Sequence, residues 1–230
     1  MHADRDLVVV DKPAGMLSVP DESETRGTLA DFTRALLRAL GRGQDTALSV
    51  VHRLDRDTSG LIVLARTAEA KRRLAAQFRA HDIERVYHAI AHGDVETRHI
   101  ETMLVADRGD GLRGSFGHFR RPRGSAPADA KRAITHVESI AALAGATLVA
   151  CRLETGRQHQ IRIHLSELGH PLVGESVYIR DYTGPRIKSS RAMLHAQALG
   201  FVHPRSGERV LFRRDAPEDF QAMIEALRRC

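Results

Sequence analysis

Two uninterrupted apolar runs of strand length, Leu7-Val8-Val9-Val10 and Leu61-Ile62-Val63-Leu64, set the strongest limit on how this chain can fold. Short runs of this kind, bounded by turn signals, fit strands covered on both faces. The first closes on Lys12-Pro13-Ala14-Gly15, and the second follows a polar loop at residues 52–60. Further strands are expected at 49–51, 83–91, 133–140, 146–153, 194–202 and 209–212, the last two joined by a turn at Arg205-Ser206-Gly207. Helical patterns lie between them. Thr28 can cap a helix to about Leu40, with Leu29, Phe32, Leu36, Leu37 and Leu40 on one face and Gly41 at its end. Thr67 can cap a second to about Ala80, turning Ala70, Leu74, Ala75 and Phe78 inward. Residues 159–168 and 216–228 complete the set, with Pro217 near the first turn of the last helix. Strands and helices mix without strict βαβ alternation, and there is no internal repeat. The expected fold is α+β, with a large mixed, mainly antiparallel sheet and flanking helices.

Charge narrows the partners. A net charge of +6 and a pI near 9.9 favour an anionic partner, either nucleic acid or an acidic membrane surface, without choosing between them. Cys151 and Cys230 lie far apart, which excludes a disulfide framework or a cysteine-rich zinc site and fits a reducing compartment. The charged N-terminus leads into no secretory apolar region. The longest weakly polar stretch, residues 140–151, is too short to span a bilayer, which takes ~20 residues. A cytoplasmic protein with no membrane contact is expected.

Residues 107–132 break the pattern. Arg108, Arg113, Arg120, Arg121, Arg123, Lys131 and Arg132 alternate with Gly, Pro, Phe116 and Phe119. Such a basic insertion is either a solvated surface segment or an RNA-contacting loop, with Arg for phosphate and Phe for stacking.

Two segments carry chemistry. In His52-Arg53-Leu54-Asp55-Arg56-Asp57-Thr58-Ser59-Gly60, apolar strands anchor both flanks, as a catalytic group requires. The arginines bracketing Asp55 favour the ionised carboxylate of a nucleophile. An ordinary polar hairpin loop is the plainer alternative. In the second segment, Thr155 to Leu165, a helix from His159 places Ile161 and Leu165 on the core face and Arg162 beside that seam. A guanidinium there needs an acidic partner, and Asp55 is a candidate.

These strings, taken together, resemble the RluA family of RNA pseudouridine synthases. The resemblance runs in order through Val9-Val10-Asp11-Lys12-Pro13-Ala14-Gly15, His52 to Gly60 and Arg85-Val86-Tyr87-His88-Ala89. It continues through Thr155-Gly156-Arg157-Gln158-His159-Gln160-Ile161-Arg162, Gly169-His170-Pro171-Leu172-Val173-Gly174 and Leu194-His195-Ala196. It implies a single catalytic domain over residues 1–230 with a central RNA-binding cleft, and a reaction that converts uridine in ribosomal or transfer RNA to pseudouridine. It implies Asp55 as the essential aspartate and Tyr87 as the tyrosine that packs on the target base and assists proton removal. Arg162 would be the arginine paired with the aspartate. Arg53 would enter the RNA stack when the uridine is everted, and His52, Arg157 and His159 are further substrate-binding candidates. No cofactor, no metal and no obligate protein partner are expected, and a monomer is.

The match departs from the family at Asp11, where Asn is usual, and at Arg85, where Lys is usual. The S4 RNA-binding domain of many members is not expected, because the catalytic pattern starts within the first ten residues. RNA selection would then fall to the catalytic domain, with Lys71, Arg72, Arg73 and Arg79 on the second helix and the 107–132 segment as candidates. Other readings are weaker. Asp57-Thr58-Ser59-Gly60 is not an aspartic protease motif, since Ser59 separates Thr58 from Gly60 and no second copy exists. The 13 histidines include no His-Glu-x-x-His zinc pattern. The alternative from another class is a non-catalytic RNA-binding protein that keeps the fold.

Overall fold

Both apolar runs form strands with covered faces, and they lie next to each other. The computed structural model describes residues 2–20, 26–41, 48–119 and 124–228. Along the chain run β1 (His2–Ala3), β2 (Leu7–Lys12), α1 (Leu29–Ala39), β3 (Ser49–Val50), β4 (Ser59–Ala65), α2 (Ala68–Ala80), β5 (Glu84–His92) and β6 (Arg98–Val105). There follow β7 (Gly114–Ser115), β8 (Lys131–Leu143), β9 (Ala146–Leu153), α3 (Gln160–Glu167), β10 (Leu194–Val202), β11 (Arg209–Arg213) and α4 (Glu218–Arg228). The fold is α+β with mostly antiparallel strand pairing. It divides into two units, Met1–Arg85 with His195–Ala216, and Val86–Leu194 with Pro217–Cys230.

The first unit is organised around β4, every residue of which is buried. β2 runs antiparallel along one edge of β4, from Leu7 opposite Ala65 to Lys12 opposite Gly60. The other edge is shared by β3, opposite Leu64 and Ala65, and by β10, parallel beside Ser59 and Gly60. Leu7, Val9, Leu61, Val63 and Ala65 pack with Ala70 and Leu74 of α2 and with Leu199 and Phe201 of β10. The Thr67 hydroxyl caps α2 by accepting from the Ala70 N–H at 3.1 Å. Gln77 then ties α2 to β10, donating to the Val202 carbonyl and accepting from the Val202 N–H, both at 2.8 Å.

α1 starts where the sequence places it, with Asp31 Oδ2 accepting from the Thr28 N–H and hydroxyl at 3.1 and 3.0 Å. Its buried face differs from the expected one. Leu29, Ala30, Thr33 and Leu37 are buried, while Phe32, Leu36 and Leu40 are 56%, 46% and 50% exposed. Leucines surround most of this helix, so apolar spacing alone could not tell which side turns inward.

The second unit is an antiparallel meander in the order β5-β9-β8-β6-β7. β6 and β7 were not expected, and together they give part of the 107–132 segment a fixed structure. Asp107 accepts from the Gly109 and Gly111 N–H groups at 2.7 and 2.9 Å. Arg108 is buried, pairs with Asp110 and Asp181 at 3.0 and 3.3 Å, and lies 5.2 Å from the Phe119 ring centroid. A guanidinium so enclosed is a packing hub, a role that neither of the two readings left open for this segment, solvated surface or RNA-contacting loop, gave it. Arg120, Arg121 and Arg123 lie outside the described residues. α4 is anchored within this unit by the fully buried Phe220 and by a two-pronged Arg191–Asp219 pair at 2.6 and 3.0 Å.

Candidate active site

The loop between β3 and β4 owes its shape to contacts made by its backbone. On one side of Asp55, Ser18 makes a reciprocal pair with Leu54: its hydroxyl donates to the Leu54 carbonyl at 3.0 Å and accepts the Leu54 N–H at 3.1 Å. On the other side, the Arg56 carbonyl accepts from Lys12 Nζ at 2.8 Å and from the Gly15 N–H at 2.9 Å. Lys12 is fully buried, and its ammonium also donates to the carbonyls of Pro13 and Met16 at 2.9 and 2.8 Å. Three acceptors match the three donors of an ammonium, which is how a buried lysine stays tolerable. The Lys-Pro-x-Gly turn thus clamps the loop at the residue after Asp55.

His52 supports the loop from beneath. Its Nε2 accepts the Val63 N–H at 3.1 Å and its ring stacks on Phe78 at 4.5 Å. Burial, with the nearby Arg85 guanidinium adding to it, pushes the His52 pKa down to about 3, so the ring is neutral, as that acceptor role needs. At the far end of the loop, the Ser59 hydroxyl meets His195 Nδ1 at 3.0 Å while His195 Nε2 donates to the Arg214 carbonyl at 3.0 Å. Gly60 has φ +111, and a Cβ there would lie 2.3 Å from the Ala196 carbonyl oxygen. Most of the motif is therefore scaffold. Asp55 is half-buried, and Arg53, Arg56 and Asp57 are exposed.

The remaining candidates lie in the second unit. Tyr87 is a buried β5 residue opposite Cys151 of β9, whose thiol burial pushes up to about 12 and so out of use as a nucleophile. The Thr155-to-Arg162 segment is pinned through Gln160. Its Oε1 accepts from the Thr155 hydroxyl and the Arg157 N–H at 2.9 and 3.0 Å. Its amide nitrogen donates to the Ile134 carbonyl and Thr135 hydroxyl of β8, both at 2.9 Å. Arg157 Nε donates to the Arg132 carbonyl at 3.0 Å. His159 caps α3 in the left-handed region at φ 58 and meets the Tyr178 hydroxyl at 2.8 Å. Arg162, one turn into α3, donates through Nε and Nη2 to Glu175 at 2.8 and 2.6 Å, with its plane 5.4 Å from the Tyr178 centroid.

A family model described as RNA pseudouridylate synthase matches residues 6–167, a span holding every one of these candidates. The chain belongs to this family. Among its relatives is "Ribosomal large subunit pseudouridine synthase D" of Zymomonas mobilis, 40% identical over 235 residues, covering 97% of this chain and 71% of that protein. The protein of the same name in Nitrosomonas europaea is 37% identical, covering 99% of this chain and 64% of that one. Of solved structures, "Human RNA Pseudouridylate Synthase Domain Containing 4" shares the fold at a TM-score of 0.79 and 22% identity, over 99% of this chain and 92% of that one. The RNA pseudouridylate synthases are isomerases, and the expected RluA-type resemblance holds.

Several residues that shape the candidate site escaped the sequence reading. Glu175 pairs with Arg162 and was not named from the sequence; the signal was a lone Glu after Gly174 in an otherwise neutral stretch. Lys12, Ser18, Thr155 and Gln160 hold the chain in place, a role the sequence reading did not give them. Asp4, Asp6 and His203 are the one group among the described residues close enough to share a cation. They are engaged with one another and with Arg205, which grips Asp6 at 2.5 and 2.7 Å. No helix among the described residues is long and apolar enough to cross a membrane.

Proposed function

We propose that this chain isomerises specific uridines in RNA to pseudouridine, with ribosomal RNA as the favoured substrate and transfer RNA as the second. The observation that carries this reading is the backbone clamp on both neighbours of Asp55, which fixes a partly exposed carboxylate on a short loop leading into the buried strand β4. The names of the relatives support the ribosomal substrate. The target bond is inaccessible within a stacked helix, so the nucleotide is everted first. Arg53, exposed on the loop, fills the gap in the stack, and His52, Arg157 and His159 shape the surface that receives the nucleotide.

Asp55 acts as nucleophile, at the sugar C1′ or at the uracil C6. The C1′–N1 bond breaks, the ring turns, and a C1′–C5 bond forms. The proton on C5 leaves and N1 gains one, with Tyr87 assisting the removal and Arg162 supporting the carboxylate. The exchange is balanced within one nucleotide, so it calls for no redox partner, activated phosphate or metal. The protein works as a cytoplasmic monomer whose whole chain forms one catalytic domain.

RNA carrying tritium at uridine C5 tests this reading. Incubation with unmodified ribosomal or transfer RNA is expected to release tritium in proportion to the pseudouridine formed. Binding of the same RNA with no release would leave the second reading, an RNA-binding protein that has kept the synthase fold.

A further inference from the structure

Arg162 is gripped at its tip by a buried acid. The Glu175 fork takes two of its three guanidinium nitrogens, Nε and Nη2. Glu175 itself has no freedom to turn. Its side chain is wholly buried, and Oε1 also accepts the backbone N–H groups of Ser176, Val177 and Tyr178 at 3.1, 2.9 and 3.2 Å. The backbone leading into it is equally constrained. Gly174 has φ +78, and a Cβ there would lie 1.9 Å from the Arg191 carbonyl oxygen. Tyr178 closes the assembly, its ring against Arg162 and its hydroxyl on His159. Burial alone would raise the Glu175 pKa, but the hydrogen bonds and charge of Arg162, with the Val177 and Tyr178 N–H groups, outweigh it and keep the carboxyl ionised.

We propose that Glu175 is a positioning residue for the isomerisation. It aims Arg162 and offsets part of its charge, so that the guanidinium keeps one orientation. This rests on the assignment of Arg162 to the reaction. A surface ion pair would not need a fully buried acid, three backbone donors and a glycine that admits no side chain. That construction specifies one orientation of one guanidinium.

The test compares the full-length wild type with Glu175→Gln, Glu175→Asp and Arg162→Lys, measuring kcat and KM by tritium release and unfolding by circular dichroism. Glu175→Gln keeps the shape and removes the charge. Its kcat is expected to fall on the order of 10- to 100-fold, the scale of a small misplacement of a reacting group, with KM within about 3-fold. Glu175→Asp keeps the charge but shortens the reach, and is expected to lose kcat in the same way. It also serves as the deciding variant if Glu175→Gln does not fold. Wild-type kcat in a folded variant, a rise in KM with kcat unchanged, or unfolding of both variants at assay temperature would overturn the proposal. Wild-type turnover in Arg162→Lys would instead remove the functional reading beneath it. Loss of turnover there with full turnover in Glu175→Gln would remove only the role of Glu175.

Discussion

The Asp55 loop and the start of α3 each carry a charged group that the sequence singles out, and a different kind of restraint stands out at each. Around Asp55 the restraint acts on the backbone. Ser18 grips Leu54 and Lys12 grips Arg56, both by hydrogen bonds to main-chain groups. Around Arg162 the restraint acts on the side chain itself, through a fork of hydrogen bonds from a buried acid. A short carboxylate has few rotamers, so fixing its Cα nearly fixes its oxygens. A guanidinium on a long flexible stem gains little from a fixed Cα and must be gripped at the tip.

That contrast can be broken first at Lys12. Lys12→Met removes the buried ammonium that donates to the Pro13, Met16 and Arg56 carbonyls, and is expected to cost on the order of 3 kcal/mol in urea unfolding and to take turnover with it. A folded Lys12→Met protein of unchanged stability would show that the loop does not depend on this clamp.

The next largest effect is on pH dependence, and each region contributes one histidine. His164 of α3 lies between the Thr135 and Thr102 hydroxyls, and burial pushes its pKa down to about 4; His52 beneath the loop is pushed to about 3. A depressed folded pKa gives stability that is present above the unfolded value near 6.5 and is lost as pH falls toward the folded one. Stability is therefore expected to decline below pH 6.5 by up to about 1.4 kcal/mol per pH unit for each proton taken up on unfolding. Urea titrations across pH should show His164→Gln flattening the slope down to about 4 and His52→Gln down to about 3. An unchanged slope in either variant would mean that its ring is not held neutral.

Ser18→Ala is the smallest and most specific perturbation. Losing the reciprocal pair with Leu54 is expected to cost about 1–2 kcal/mol of stability. If the clamp serves to place Asp55, kcat falls roughly 10-fold with RNA affinity unchanged. A loss of affinity at constant kcat would assign Ser18 to binding and would weaken the contrast drawn here.

Much of this architecture was legible in the chain. β4 and β2 showed as apolar runs, and α2 showed through its cap and its Ala70, Leu74 and Phe78 spacing. The charged motifs marked the loop and α3. The reasons for the misses are physical. β6 carries exposed Arg98, His99 and Glu101 among its buried Ile100, Leu104 and Val105, so its alternation is hidden by charge. α1 has leucines on both sides, and tertiary packing chose Leu37 over Leu36. Lys12 and Glu175 are buried charges, which composition assigns to the surface until a partner is seen. The resemblance marked Asp55, Tyr87 and Arg162, but the residues that hold Asp55 and Arg162 in place become visible only in three dimensions.

The role of Asp55 is tested most directly by one substitution that preserves shape. Single-turnover tritium release by Asp55→Asn, measured beside its affinity for the same RNA, is expected to fall more than about 1000-fold while affinity stays within about 3-fold. Release at a rate near that of the wild type would contradict the account, because the loop would then be holding in place a carboxylate that the reaction does not use.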